Sequence, residues 1–298
     1  MEQFDHQQVE PRTGLDGSSG AQMALLPGGR LHLHHGPSDL ICEALGDPQE
    51  VEESYRQAWE RFQTLLAALV ENLPLLRTPA HQLTGRPTDP TSRRMISAVS
   101  PYQNLYVTPM AAIAGAVADE VLAAMTANRK LERAYVNNGG DIAIHLKPGA
   151  RFVAGVVSEV TRPEIRERVA LMAGDGVGGM ATSGWRGRSW SLGVADAVTV
   201  FARSAAQADA AATLIANAVN VNHPHVQRTS AREVFPDGDL EQLEVTTDVG
   251  ELPQEAILMA INQGSRVAAR FLELGHIKGA LLYLQGQRRA VGHMAIMR

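Results

Sequence analysis

Three short stretches of the chain carry residue types that could do chemistry. In SAAQADAAATLIANAVN, Asp209 and Thr213 stand four residues apart, which puts a carboxylate and a hydroxyl on one face of a helix. A hard cation such as magnesium takes ligands of that kind together with backbone carbonyls. The same pair also has a structural reading. An acid in the first turns of a helix is favoured by the helix dipole, which opposes a nearby cation, and a threonine can simply pack. In AYVNNGGDIAIHL, Asn138-Gly139 suits a type I′ hairpin turn, with Ile142, Ile144 and Leu146 alternating behind it as a half-buried strand. A turn centred there needs neither Gly140 nor Asp141. Beside Asn137, Gly139 and Gly140 would let a ligand approach the backbone, and Asp141 could hold a hydroxyl, an amine or a metal. In TSGWRGRSWSLG, Ser183, Arg186, Arg188, Ser189 and Ser191 stand among glycines. Arginine forks and open backbone amides suit a phosphate or carboxylate; a solvated loop whose arginines meet acidic neighbours is equally compatible with the residues.

Two other patterns read as ordinary structure. GDGVGG, from Gly174, matches G-x-G-x-x-G by letter but precedes a strand and opens no helix, so it is expected to be a flexible turn and not a dinucleotide fingerprint. His32 and His34 would share a strand face with His35 beside them, and His223 and His225 form a second cluster, but no spacing joins the two into a zinc site.

The elements that must position these residues follow from periodicity and punctuation. GGRLHLHHGPSDLICEALG predicts two strands around Gly36-Pro37. Asp47 caps a helix with Pro48 in its first turn and an apolar stripe of Val51, Tyr55, Trp59, Phe62, Leu66, Leu69 and Leu73. Residues 78–94, with three prolines, predict a long connection, a subdomain seam or mobile loop. Thr108-Pro109 starts an alanine-rich helix, and Pro148-Gly149 turns the chain into a further strand. After the strand DAVTVFA, Ser204 and Gln207 form a capping-box pattern for a third helix. A long helix from Pro253 to Leu274 and a strand pair around Gln285-Gly286 end the chain. Strand pairs separated by helices without a βαβ rhythm predict an α+β fold: an antiparallel sheet with helices packed on one face, a single domain over 21–298 behind a flexible tail at 1–20.

Of the 298 residues 45% are hydrophobic, ample for a sizeable core, and a net charge of -5 without a basic run argues against nucleic acid or an anionic membrane surface. The single cysteine, Cys42, forms no internal disulfide. No secretory leader or membrane-spanning run is read, so a cytoplasmic protein working on small molecules or protein partners is expected. A homo-oligomer is left open.

Taken in order, three blocks resemble the ApbE-like superfamily, whose best-known members are FAD:protein FMN transferases. AAIAGAVADEV carries Gly115 and Asp119, NNGGDI carries Asn137 to Ile142, and ADAAAT carries Asp209 and Thr213. RLHLHHGPSDLI and ATSGWRGRSWSLGVADAVTV extend the resemblance to an uncharacterised, divergent branch. It implies the family's fold and Mg2+ held by Asp209, Thr213 and the Ala111 carbonyl; FAD or a related flavin nucleotide is expected against Asn137, Gly139, Gly140 and Asp141, with Ser183, Arg186 and Arg188 of the anion loop as further binding residues. A protein acceptor of FMN would be the partner. Alternatives are a flavin or nucleotide carrier, or redox-enzyme subunit, without transfer chemistry, and a structural subunit with an empty pocket. Two departures accompany the resemblance. Ala114 stands where the transferases carry a lysine, and WRGRSWSL stands where they carry an Asp-Pro-x-Thr-Gly segment. Arg186 and Arg188 could stabilise charge there but cannot act as a base at neutral pH.

Overall fold

The computed structural model describes residues 20–158, 165–187, 189–236, 238–240, 242–293 and 295–297. The expected tail, apart from Gly20, and Arg188 lie outside the described residues. The chain runs β1 (Gln22–Leu26), β2 (Arg30–His35), β3 (Ser38–Gly46), α1 (Pro48–Glu71), α2 (Leu73–Leu76), α3 (Pro90–Val99), α4 (Ile113–Thr126), β4 (Leu131–Asn138), β5 (Asp141–Leu146), β6 (Arg151–Val157) and β7 (Ile165–Met172). It continues through β8 (Gly179–Ser183), β9 (Ala197–Ala202), α5 (Ala205–Ala218), β10 (Val226–Ser230), α6 (Ala231–Val234), β11 (Glu244–Val249), α7 (Gln254–Glu273), β12 (Gly279–Leu284), β13 (Gln287–Val291) and β14 (Ala295–Met297).

A nine-stranded sheet in the order β1-β2-β3-β4-β5-β8-β9-β12-β13 forms the centre, every neighbouring pair antiparallel. Period-two alternation divides its side chains between two cores. On one face Val198, Val200, Leu282 and Leu284 pack with Phe62 and Leu65 of α1, Val117 and Val121 of α4, Ile215 of α5 and Ile261 of α7. On the other, Phe201, Leu281 and Tyr283 pack with Phe152, Val156, Val169 and Leu171 of a three-stranded sheet, β14-β7-β6. The α+β expectation is met: helices cover one face, and a small second sheet covers the other.

Local signals explain several element boundaries. The Asp47 side chain accepts from Gln49 N at 3.0 Å to cap α1, with Pro48 in its first turn. The buried stripe of α1 is Ser54, Ala58, Phe62, Leu65 and Leu69, so Leu65 and not Leu66 is the buried leucine of that turn. The connection expected over 78–94 ends early, because Asp89 caps α3 through Ser92 N at 2.7 Å and the helix starts at Pro90. The GDGVGG stretch starts as an exposed 3-10 turn over Ala173–Asp175, as expected of a turn, but its last two glycines are packed. A Cβ on Gly178 would lie 2.2 Å from Arg203 O, and one on Gly179 2.1 Å from Ala205 N, so glycine here permits close approach of β8 to the start of α5. One segment does reach membrane-spanning length and apolarity, contrary to expectation. Pro109–Thr126 has mean hydropathy 1.3 over 18 residues and is 61% buried, packed against α1, α5, β4 and β5 as a core helix.

Candidate functional site

The site grows from the junction of α4 and α5. Small residues allow these helices to meet at their N-terminal ends: a Cβ on Gly115 would lie 2.3 Å from Ala205 O. The first N–H groups of any helix have no partner within it. Here each helix supplies the other's cap. Asp119 of α4 accepts from Ala205 N and Ala206 N, both at 2.9 Å, and Asp209 of α5 accepts from Gly115 N at 3.0 Å. Local capping adds to this, since the Ser204 hydroxyl accepts from Gln207 N at 3.3 Å as the sequence pattern predicts.

The β4–β5 hairpin meets the same junction. Asn138 pairs with Asp141, which leaves Gly139 and Gly140 as the two-residue loop, with φ of 65° and 113°. The turn therefore lies one residue later than Asn138-Gly139 suggests, and the turn itself requires the second glycine: both central residues of such a loop need positive φ. Asn137 Oδ1 stabilises it by accepting from Gly140 N at 2.8 Å. A side chain at Gly140 would meet nothing within 4 Å, so the backbone remains approachable there. Asn138, freed from the turn, is buried and donates to Ala114 O at 3.1 Å, tying the hairpin to the first turn of α4.

By alternation with Ala143, Asp141 lies on the helix-covered face of the sheet. It is buried and accepts from Thr182 N at 3.2 Å. Burial pushes its pKa up to about 7 against the opposing pull of that N–H. Asp209, partly buried, lies well above the usual carboxylate range, first through burial and then through the charge of Asp141, with Asp119 adding to the repulsion. Burial also raises Asp119, opposed by the amides it caps. Thus Asp141 and Asp209, 68 residues apart in sequence, face each other electrostatically. Thr213 is one helical turn beyond Asp209, and the 3-10 turn Pro109–Ala112 that carries Ala111 packs against α5.

Hard oxygen donors of this kind suit a magnesium-like cation: two carboxylates whose mutual repulsion a cation would relieve, a hydroxyl, and a backbone carbonyl. One Asp209 oxygen is already engaged by Gly115 N. Among the described residues no three His, Cys, Asp or Glu side chains converge as a ligand group, so a cation would draw its remaining ligands from carbonyls, hydroxyls or water. His32 is paired with Asp39 at 2.5 Å, and His223 stacks edge-on with His225 at 4.8 Å.

The arginine loop is only partly brought to this junction. Ser183 ends β8 on the helix-covered face, two residues from Ala181. Arg186 lies over the Trp185 ring at 4.6 Å, a cation–π contact the residue types alone do not reveal. Trp185 Nε1 is a buried donor with no acceptor among the described residues, which is compatible with a ligand oxygen at the loop. Ser191 turns inward, its hydroxyl donating to Asn217 Oδ1 at 3.2 Å. Two cavities, of about 360 and 470 Å³, are lined by neither Gly139, Gly140, Asp141 nor Arg186. Sequence reasoning missed the cap made by Asp119 and the anchor made by Asn138; the only local signal for either was a polar residue among small or apolar ones.

A sheet with one helical face, and a glycine hairpin bound to two mutually capped helices, define an ApbE-like α+β protein. Residues 23–290 match the family described as AbpE bacteria, and the chain belongs to that family. Relatives include UPF0280 proteins of Methanopyrus kandleri (34% identical over 166 residues, 55% of this chain and 64% of that protein) and Methanocaldococcus jannaschii (38% over 113 residues, 38% and 45%). A third, from Methanothrix thermoacetophila, is 36% identical over 148 residues, 47% of this chain and 60% of that protein. The matched stretches thus span 45% to 64% of these relatives' own length. Among solved structures, the ApbE protein of Thermotoga maritima is 15% identical with a TM-score of 0.44, covering 93% of this chain and 97% of that one. The flavin transferase ApbE of Vibrio cholerae is 14% identical with a TM-score of 0.39, covering 91% and 97%.

Proposed function

We propose that the chain binds a flavin nucleotide, FAD or a close relative, through a magnesium ion held by Asp209, Thr213 and the Ala111 carbonyl, with Asp141 as the second anionic neighbour. The observation that carries this reading is the convergence of Asp141 and Asp209 where the Gly139-Gly140 turn meets the start of α4. A buried carboxylate raised by burial and a second, half-buried one raised further by the first's charge are costly to ionise together, and a divalent cation removes that cost. Asn137 keeps the glycine turn in shape, and the open space beside Gly140 admits a ligand to the backbone. Magnesium, when bound, would neutralise a pyrophosphate and polarise its oxygens. Membership in an ApbE-like family supports flavin as the ligand class, and transfer of FMN to an acceptor protein as the activity such a site would serve.

One observation favours the reading of a carrier without transfer chemistry. Ala114, in place of the transferases' lysine, offers only a methyl group, and its carbonyl is taken by Asn138. Two measurements separate the readings. Calorimetric titration of FAD with magnesium and again with EDTA tests binding, and magnesium-dependent heat is expected. Absence of heat in both conditions ends the flavin reading. Release of AMP from FAD then distinguishes a transferase from a carrier.

A further inference from the structure

A cavity of about 470 Å³ opens between the start of α3 and the N-terminal turn of α5, lined by Arg86, Arg93, Arg94, Ser97, Ser204 and Gln207, with Asp119 also on its wall. Its charge balance is uneven. Arg86 is exposed and makes no hydrogen bond or ion pair among the described residues. Among the described residues the Arg93 guanidinium donates only to the Thr88 carbonyl. Arg94 uses its Nε on Glu120 at 2.9 Å, and among the described residues its two Nη groups make no hydrogen bond. Glu120 is shared with Arg61, at 2.8 Å, so it does not balance Arg94 alone. The one carboxylate on the wall, Asp119, has both oxygens committed to Ala205 N and Ala206 N. Three guanidinium groups therefore meet a concave space with most of their donors unused, and two hydroxyls stand among them.

We propose that this cleft is a second binding site, one that takes a phosphate or pyrophosphate group of a small molecule without a metal ion. Guanidinium forks bind phosphate oxygens in pairs, and a concave wall of one sign strengthens the field inside it. The amides of α5 are already capped by Asp119 and Ser204, so recognition here falls to the arginine side chains. The site needs neither Asp141 nor the Gly139-Gly140 turn, and its ligand is expected to bind in EDTA.

The test is calorimetric titration of the full chain with sodium pyrophosphate, inorganic phosphate and AMP, each in EDTA at low salt. The wild type is expected to bind pyrophosphate, and AMP heat of similar size would identify a nucleotide phosphate as the source. The double variant Arg86→Ala/Arg93→Ala is expected to bind pyrophosphate at least about tenfold more weakly, the loss of charge-assisted hydrogen bonds. It is expected to keep magnesium-dependent FAD binding. Absence of wild-type heat with all three probes overturns the proposal, as does a double variant that binds like the wild type. If the double variant loses FAD and pyrophosphate together, the cleft is not a separate site and the proposal also falls. Should Arg93→Ala disturb the α3 cap, Arg86→Ala alone decides, since Arg86 has no structural bond to lose. Wild-type protein that binds pyrophosphate but not FAD leaves this inference standing and removes the flavin reading.

Discussion

Asp119 and Asp209 each cap the helix on which the other stands. Asp119, on α4, holds the first amides of α5, and Asp209, on α5, holds Gly115 N in the first turn of α4. The two acids nevertheless differ in surroundings. Asp119 has both oxygens satisfied by amides, whereas Asp209 also faces the charge of Asp141.

That difference predicts opposite phenotypes. Asp119→Ala is expected to lower stability by about 1–3 kcal/mol, the cost of unsatisfied buried amides, while retaining the melting shift caused by magnesium and FAD. Asp209→Asn keeps size and one cap acceptor and removes a repulsive charge, so its stability should change little or rise, while the ligand-induced shift is lost. Thermal melts of both variants, with and without magnesium and FAD, check this. An Asp209→Asn protein that keeps its full shift would remove the metal site from the proposed function.

The raised acids also set a pH dependence. A carboxyl whose folded pKa exceeds its unfolded value binds more protons when folded, so stability falls as pH rises between the two values. For Asp141 that window runs from 3.8 to about 7, and Asp119 and Asp209 act in the same direction. Melting temperature in EDTA is therefore expected to fall from about pH 5 to about pH 7.5, and magnesium to restore more of it at the upper end. Asp141→Asn should flatten the profile. A profile unchanged by that substitution would show that other groups carry it.

At Gly140 the strain is conformational and not steric. Its φ of 113° disfavours a side chain, but nothing lies within 4 Å of a Cβ there. Gly140→Val is expected to cost about 1–3 kcal/mol by backbone strain alone and to weaken FAD binding by more than that loss explains, through blocked approach. Chemical denaturation and titration of the same variant compare the two effects.

Gly115→Ala tests close packing. Its methyl would lie 2.3 Å from the Ala205 carbonyl oxygen, against backbone that cannot rotate away. A loss of about 3 kcal/mol or outright misfolding is expected, measurable by denaturant unfolding. Wild-type stability would mean that the helices separate freely at this point.

Much of the scaffold was legible because its signals are local. Asp47-Pro48 and Ser204 mark helix starts through bonds to amides two or three residues away, and the strand DAVTVFA carries its own apolar run. Asp89-Pro90 is a signal of the same kind, masked by the prolines and polar residues around it. The site was legible only as residue types. That Asp141 and Asp209 meet depends on sheet order and helix packing, which no spacing along the chain encodes. The glycine turn shows the limit at close range: Asn138-Gly139 is the better local turn pair, but bonding of Asn138 to Ala114 O keeps it in the strand and moves the loop to Gly139-Gly140.

The mutual capping of α4 and α5 restricts how this sequence can drift in length. Each residue inserted into a helix rotates everything beyond it by about 100°. A single insertion between Gly115 and Asp119 would swing Asp119 away from Ala205 while Gly115 stayed against Asp209. One inserted between Ala205 and Asp209 would break the other half. Because the two four-residue intervals lie about ninety residues apart in the chain, no single compensating insertion or deletion repairs both. Related chains are therefore expected to vary in length in the loops and at the sheet edges, and to hold these two intervals fixed.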